Sequence, residues 1–290
     1  MLRRGSERAR LGAVDVLRPT EDEALAEWAR RVRANRDQAE RVREAPERPD
    51  FYAPVAASFK ADPRRPDEEA LNILLSLVQP EDRWLDIGTG GGRYALPLAL
   101  AAREVVALDP SEGMLAVLRE GMAEHDIQNV RIVQSRWPGV EKVRADCCLM
   151  SHIGYDIEDI GPFLDAMDDA ASRLCVAVLL ARAPAFVAEP FWPIVHGEER
   201  APLPALREFL TLQMARGRIC EVRLSQREAG WYSNDDAALG FLRQQLFVEP
   251  GGEGDSKLRA AVAALPHDAA GRVPSSTEAV PLGIVSWRPR

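Results

Sequence analysis

Lysine is nearly absent from this chain. Only Lys60, Lys142 and Lys257 occur in 290 residues, and arginine supplies the rest of 37 positive charges set against 45 acids. The formal charge of −8, with a pI near 5.2, argues against a broad nucleic-acid footprint, which needs clustered positive charge to displace counterions. A local basic groove stays compatible with it. The preference for arginine reads as the mark of a GC-rich genome. Cysteine is scarce too. Cys147, Cys148, Cys175 and Cys220 sit in apolar, strand-like runs, with no C-x-x-C and no histidine at ligand spacing. They read as buried free thiols in a reducing compartment, not as a disulfide framework or a metal centre. Long apolar runs are missing: those near residues 95–102 and 174–181 are too short to cross a bilayer. The basic opening MLRRGSERAR is not followed by the apolar core of a signal peptide. These absences predict a globular cytoplasmic protein, long enough for one large α/β domain or two small ones.

The chain has three kinds of segment. Residues 1–18 are charged and aperiodic, and are expected to fray. Thr20 to Glu23 form a capping box after Pro19, opening a helix that runs to about Glu44. Leu25, Trp28, Val32 and Val42 give it a thin apolar stripe among Arg/Glu pairs, and Pro46 and Pro49 stop it. The aromatic stretch DFYAPVAASF (50–59) follows, then a second helix after Pro66-Asp67 that ends before Pro80. From residue 84 onward, strands RWLDIG, EVVALD (104–109), VRIVQ (130–134), DCCLMSH (146–152) and LCVAVLLA (174–181) alternate with helices at 93–102, 111–125 and 157–172. Apolar strands alternating with amphipathic helices imply a parallel sheet covered on both faces. The beat breaks at 183–204, rich in proline and aromatics. A helix (205–215), strand ICEVRLS (219–225), a helical pair within 230–268 and a closing strand in 279–289 complete the chain.

The segment WLDIGTGGGR carries the chemistry. Gly88, Gly90 and Gly92 make a turn whose backbone can approach a ligand closely, and the helix behind it offers free N–H groups. Asp109 closes the next strand about 20 residues on, where an acid can accept ribose hydroxyls. Gly90-x-Gly92-x-x-Ala95 even satisfies a loose NAD fingerprint. Asp86 turns the reading. A carboxylate ending the first strand would repel a dinucleotide's pyrophosphate, whereas it would attract the sulfonium and ammonium of S-adenosylmethionine.

LDIGTGGGR followed by VVALDPSEGML resembles motif I and the acidic motif of the class I S-adenosylmethionine-dependent methyltransferases, of the type 11/25-like kind. The resemblance covers residues 80–182 well, and ADCCLMSHIGYDIEDIGPFL is similar to the family's fourth-strand motif. It implies an α/β fold: a Rossmann-like, doubly wound, seven-stranded sheet, mostly parallel, with an antiparallel last strand. Residues 1–80 would form an N-terminal helical lid, and 81–290 the cofactor-binding domain, with insertions at about 183–204 and 230–268. Asp86, Gly88, Thr89, Gly90, Gly92, Asp109, Pro110, Met114 and Ser151 would bind S-adenosylmethionine, with S-adenosylhomocysteine as product. After the third strand the family usually places an acid that contacts the adenine amino group. Here Gln134-Ser135-Arg136-Trp137 stands instead, so Ser135 would accept that bond and Trp137 would stack on the purine or simply pack.

Methyl transfer from a sulfonium is an in-line displacement, helped chiefly by positioning in a closed, dry site. A base is needed only where the acceptor must shed a proton early. His152, at the carboxyl end of the fourth strand, is a candidate base, substrate contact or structural histidine. Tyr155 would line the pocket, and Asp156 would cap the helix after it. His196 lies in the 183–204 insertion, a candidate lid. Phe51 and Tyr52 would cover the cofactor or plug the sheet edge, and Trp231 and Tyr232 would line the mouth. No metal-ligand cluster is evident. The expected function is methylation of a small-molecule acceptor. The alternatives are an RNA or protein methyltransferase using Arg30, Arg31, Arg33 and Arg36, a non-catalytic cofactor-binding or assembly module, and, disfavoured by Asp86, an NAD-dependent oxidoreductase. The acceptor atom and the oligomeric state, a homodimer among the options, stay open.

Overall fold

The computed structural model describes residues 19–44, 49–66, 68–139, 142–276 and 278–290. The expected fraying of 1–18, the stop at Pro46 and the helix start at Asp67 lie outside them. Helix α1 (Glu21–Val42) opens on the capping box: the Glu23 amide donates to Thr20 Oγ1 (3.3 Å) and the Thr20 amide to Glu23 Oε2 (2.8 Å). A 3₁₀ turn (Ala53–Phe59) and the short α2 (Glu69–Leu75) follow. Strand β1 (Arg83–Ile87), α3 (Ala95–Ala101), β2 (Glu104–Asp109), α4 (Glu112–Glu124), β3 (Val130–Gln134), β4 (Ala145–Ser151), α5 (Ile160–Ala170) and β5 (Ala171–Leu180) carry the alternating unit. Then come a 3₁₀ turn (Pro184–Phe191), α6 (Trp192–His196), α7 (Leu206–Ala215), β6 (Cys220–Arg227), β7 (Trp231–Tyr232), α8 (Asp235–Leu246), α9 (Glu253–Ala263), β8 (Val273–Pro274) and β9 (Val280–Trp287).

Seven strands form one sheet in the order β3-β2-β1-β4-β5-β9-β6, with β9 antiparallel to both its neighbours and the rest parallel. This is the expected doubly wound sheet. Strands β7 and β8 pair in a separate ribbon. Successive strand residues enter opposite cores because their side chains alternate across the pleat. Leu85, Ile87, Cys148 and Met150 pack toward α1, α5 and α7, while Trp84, Leu149, Val176 and Val178 pack toward α2, α3 and α4. Both sets are apolar, so the strands show no polar alternation.

Some boundaries differ from expectation. Helix α5 begins at Ile160, with Asp159 at its N-cap position, so Asp156 does not cap it; Asp156 sits exposed in the turn closed by the Ile157 amide on the Gly154 carbonyl (3.2 Å). Strand β5 starts at Ala171, earlier than the apolar run, because Ala171 pairs with Ala145 at the start of β4. Three cysteines are buried, Cys220 half-buried, and all are free. No helix among the described residues is long and apolar enough to cross a membrane.

The amino edge of the sheet is sealed by ion pairs. Buried Asp168 accepts the Trp287 indole N–H (2.9 Å) and pairs with Arg218, and Asp82 pairs with Arg173. The carboxyl edge is roofed instead. Ala39 of α1, Trp192 and Val195 of α6, Leu239 and Leu242 of α8, and Leu258 and Val262 of α9 share one core, so both insertions and the N-terminal helix form a single roof. Trp28, 1% exposed, ties α1 to the body by donating its indole N–H to the Ile157 carbonyl (2.9 Å). Replacing Trp28 by alanine is expected to lower the unfolding free energy in urea by about 3–5 kcal/mol, as for a fully buried large aromatic. Arg33→Ala, which breaks only a half-exposed pair with Glu158, should cost less than about 1 kcal/mol. Equal losses would show that α1 is not held by its buried face.

Candidate cofactor and acceptor site

The site begins where β1 ends. The Gly88 and Thr89 amides both donate to the Leu108 carbonyl (2.7 and 3.0 Å), folding the turn against the end of β2. Gly88 and Gly92 have positive φ, and an added Cβ would meet Ile153 at 2.8 Å and Leu118 at 2.5 Å. They are tight by packing. Gly90, also at positive φ, faces open space: its Cβ would find only Met114 Sδ, at 3.9 Å. It is the point at which a ligand can approach the backbone. Asp109 fixes this geometry, its carboxylate accepting the Gly90 amide (2.9 Å) and the Ser111 amide (2.9 Å). Ser111 caps α4 by accepting the Met114 amide (3.1 Å). Helix α3 starts only at Ala95 and has seven residues, so the expected helix N-terminus stands off from the turn, whose Gly88, Thr89, Gly90 and Gly92 amides are bonded within the protein.

Asp86 is 2% exposed. One oxygen accepts the Thr89 hydroxyl (2.8 Å); the other is buried with no partner among the described residues. Burial raises its pKa to about 7, with Thr89 opposing and the charge of Asp109 adding to the rise. A buried carboxylate facing no cation is costly, and this orphaned oxygen beside the open Gly90 fits the positive end of S-adenosylmethionine. A segment that sequence reading took only as aromatic adds a third carboxylate. Asp50 accepts the Ser111 hydroxyl (2.8 Å) and the Gly113 amide (3.2 Å), docking the 53–59 turn on α4. Tyr52, beside it, has its phenol pKa pushed up to about 12 by burial and by the charges of Asp156 and Asp109. Its ring meets those of Phe51 and Phe59 edge-on (5.2 and 6.0 Å), and 44% of Tyr52 stays exposed. Pro110 is exposed, and Met114 is buried against Ala56 and Val117.

The remaining candidates divide. Ser151 Oγ and His152 Nδ1 are buried and unpartnered among the described residues. His152 holds a left-handed backbone, φ 55°, anchored by its amide on the Val178 carbonyl (2.9 Å), a conformation that non-glycine residues rarely adopt. Its ring lies 6.1 Å from that of Tyr94. Burial, with Arg227 and Arg93, lowers its pKa to about 3. The imidazole is thus neutral at physiological pH and suited to hydrogen bonding, and it is a weak base. Tyr155 is buried and its hydroxyl accepts the Leu180 amide (2.8 Å). His196 bonds the Leu246 carbonyl through Nε2 (2.9 Å) and packs on Trp192, stitching α6 to α8. Ser135 donates to the Arg136 carbonyl (3.0 Å). Trp137 donates its indole N–H to the Phe163 carbonyl (3.2 Å) and packs against the core, which favours packing over purine stacking. Trp231 lies under the Arg272 guanidinium (5.2 Å), while the Tyr232 hydroxyl is buried without a partner among the described residues. No cluster of three or more metal-ligating side chains occurs among the described residues.

Ionised Asp86 is the form that attracts a cation. Below pH 7 cofactor binding must therefore expel a proton, and the affinity for S-adenosylmethionine should fall by up to about tenfold per pH unit. Asp86→Asn should abolish this slope and weaken binding at pH 8 about tenfold or more. In the cofactor-free protein the sign reverses. A raised carboxyl pKa costs stability as pH climbs from about 4 to 7, so Asp86→Asn should melt higher than the parent at pH 8 and converge with it toward pH 4. Calorimetric titration and thermal melting across that range test both; a flat affinity profile in the parent would contradict them.

Comparisons with known proteins agree with this geometry. Residues 85–170 match the family described as a methyltransferase domain. The ribosomal RNA small subunit methyltransferase G of Pseudomonas entomophila is 25% identical over 150 residues, covering 49% of this chain and 69% of that one. Its namesake from Neisseria gonorrhoeae is 36% identical over 75 residues, which is 25% of this chain and only 36% of the relative. Among solved structures, the YcgJ protein of Bacillus subtilis superposes with a TM-score of 0.51 at 13% identity, over 76% of this chain and 98% of that one. A Bacillus halodurans protein assigned as a methyltransferase gives 0.53 at 14%, over 77% and 100%. At such identities the structural likeness speaks for the fold, and the family match narrows the chemistry: residues 85–170 form a methyltransferase domain of the S-adenosylmethionine-dependent kind, and the methyl donor is S-adenosylmethionine.

Proposed function

We propose that the chain methylates a small-molecule acceptor held between the carboxyl edge of the sheet and the roof. The observation that carries this reading is the state of the arginines on α1. Arg30 pairs with Glu27 (2.7 Å), and Arg31 with Glu27 (2.8 Å) and Glu208 (3.3 Å). Arg33 and Arg36 both hold Glu158 (2.7 Å each). An RNA groove needs such side chains free to displace counterions. Here Arg30 pairs within α1, and Arg31, Arg33 and Arg36 pair with Glu208 and Glu158 of the body. The roof closes further on the N-terminal segment: Gln244 donates to the Phe51 carbonyl (2.5 Å), and the Glu44 amide to the Phe247 carbonyl (2.9 Å). This favours a compact substrate screened from water.

S-adenosylmethionine, when bound, supplies an electrophilic methyl group. The protein's part is positional. Asp86, with Thr89, faces the cofactor's positive end; Asp109 and the amides at Gly88, Thr89 and Gly90 shape its cradle; Met114 and Tyr52 flank it. Ser151 and His152 present hydrogen-bonding groups to the acceptor, while Tyr155, His196 and Trp137 act in the scaffold. The four free thiols support a cytoplasmic setting. An RNA acceptor is the second reading, because the relatives of Pseudomonas and Neisseria are named as ribosomal RNA methyltransferases.

Incubation with radiolabelled S-adenosylmethionine and a bacterial lysate, separated into metabolites, RNA and protein, decides between them. Label is expected in the metabolite fraction, and Arg33→Ala and Arg36→Ala should retain activity within about twofold. Label in RNA, lost in those variants, would establish the RNA reading instead.

A further inference from the structure

Arg227 has no counterpart in the machinery described so far. Strands β5 and β6 both run antiparallel to β9, so they are parallel to each other, and Arg227 ends β6 at the same sheet edge as Leu180. In register, Leu180 faces Leu282 and Arg227 faces Val280, one pleat farther out. The same edge holds Tyr155, through the Leu180 amide, and His152, through the Val178 carbonyl. Alternation sets Arg227 on the face of Arg223 and Ser225, which bond Ser76 (3.0 Å) and Glu69 (2.8 Å) of the α2 segment. Beside α2 lies Glu68, a carboxylate near Arg227 that is already engaged. It accepts Arg93 (2.9 Å) and the Tyr94 hydroxyl (3.3 Å) and pairs with Arg65.

Among the described residues the Arg227 side chain makes no hydrogen bond or ion pair, while Arg65 and Arg93 share Glu68. Glu228 and Glu278 line the adjoining recess with Arg227, but neither forms an ion pair with it. His152 and Tyr232 both feel this guanidinium, and His152 Nδ1 and the Tyr232 hydroxyl are without partners among the described residues. Burial and Arg93 lower the Arg227 pKa, with Tyr94, Tyr155 and Glu68 opposing. A guanidinium at the sheet edge that bonds no protein anion keeps its N–H donors free for a ligand.

We propose that the methyl acceptor is an organic anion and that Arg227 anchors its carboxylate or phosphate. This rests on the small-molecule reading above. The planar guanidinium can grip such a group through two parallel N–H donors. The anion is the handle and Arg227 a binding residue. The methylated atom lies elsewhere on the acceptor, toward His152 and Asp86, whose strands β4 and β1 are neighbours.

The test is titration of protein loaded with S-adenosylhomocysteine against acetate, benzoate and inorganic phosphate, with acetamide and benzamide as neutral counterparts. At least one anion should bind, at least tenfold more tightly than its amide where it has one. Arg227→Gln should weaken that binding at least tenfold and Arg227→Lys less, while S-adenosylhomocysteine affinity stays within twofold. Because Arg227 is exposed and bonds nothing, both variants should keep the parent's melting temperature. Three results would overturn the proposal: no anion bound, amides bound as well as acids, or Arg227→Gln binding anions unchanged. So would loss of S-adenosylhomocysteine in Arg227→Gln, since the guanidinium would then serve the cofactor. Label found in RNA in the lysate experiment would sink the small-molecule reading on its own, leaving this titration to stand or fall separately.

Discussion

Two backbone amides share one carbonyl, and the site depends on it. By donating together to Leu108, Gly88 and Thr89 bind the end of β1 to the end of β2. That contact sets the left-handed steps that follow, and it brings the Gly90 amide onto Asp109. It also leaves Asp86 beneath the turn, where water cannot solvate it and only Thr89 reaches it. Glycine is required at the crowded positions because Ile153 and Leu118 occupy the space of a side chain. At Gly90 the space is open. The same element therefore contains both a packed hinge and a ligand-facing gap, and only the structure separates them.

The roof solves a different problem. A sheet edge that holds charged residues must exclude water without closing against itself. The chain does this with elements far apart in sequence, none of which has enough apolar surface alone. Helix α1 has a thin stripe, α6 spans five residues, and α8 and α9 are amphipathic. Together they bury Trp192 completely, flanked by Ala39, Leu242 and Val262. Polar contacts then fix their order: Asn35 and Gln38 of α1 bond the Ala201 and Glu199 carbonyls, and the Ala201 amide returns a bond to Gln38. A roof made this way is stable only when all its parts meet.

Much of this was legible in the sequence, for identifiable reasons. The strands β1, β2, β4 and β5 are largely buried on both faces, so they appear as apolar runs that need no partner to be recognised. Asp86, Asp109 and the glycines lie within one contiguous stretch of strand and turn, and their spacing carries their meaning. What was not legible is long-range. Asp50 reads as an ordinary polar residue ahead of two aromatics until it meets Ser111. Arg227 ends a strand whose outward residues are mostly polar, and nothing local distinguishes it from Arg223. What His196 touches was not legible, because its partner, the Leu246 carbonyl, lies 50 residues away. Asp156 has the composition of a cap, but the Gly154 turn intervenes and delays the helix to Ile160.

The charges at the site follow a pattern that the fold alone does not require. Elsewhere the chain pairs its ions closely: Asp168 with Arg218, Asp82 with Arg173, Asp255 with Arg243 and Arg259. Along the carboxyl edge it leaves one oxygen of Asp86 unpartnered at β1 and the Arg227 guanidinium unpartnered at β6. They are separated by the strands that carry Ser151, His152 and Tyr155. The first weakens the protein on its own, since a buried carboxylate without a counterion is unfavourable, whereas the exposed guanidinium costs little and keeps its donors available. Local breaches of this kind are expected at functional sites, where a ligand supplies the missing partner. Opposite signs at the two ends of one edge call for a cation at β1 and an anion toward β6. The first is met by the methyl donor. On the proposed reading the second is then a property of whatever receives the methyl group, and the fold assigns the acceptor its charge before its skeleton.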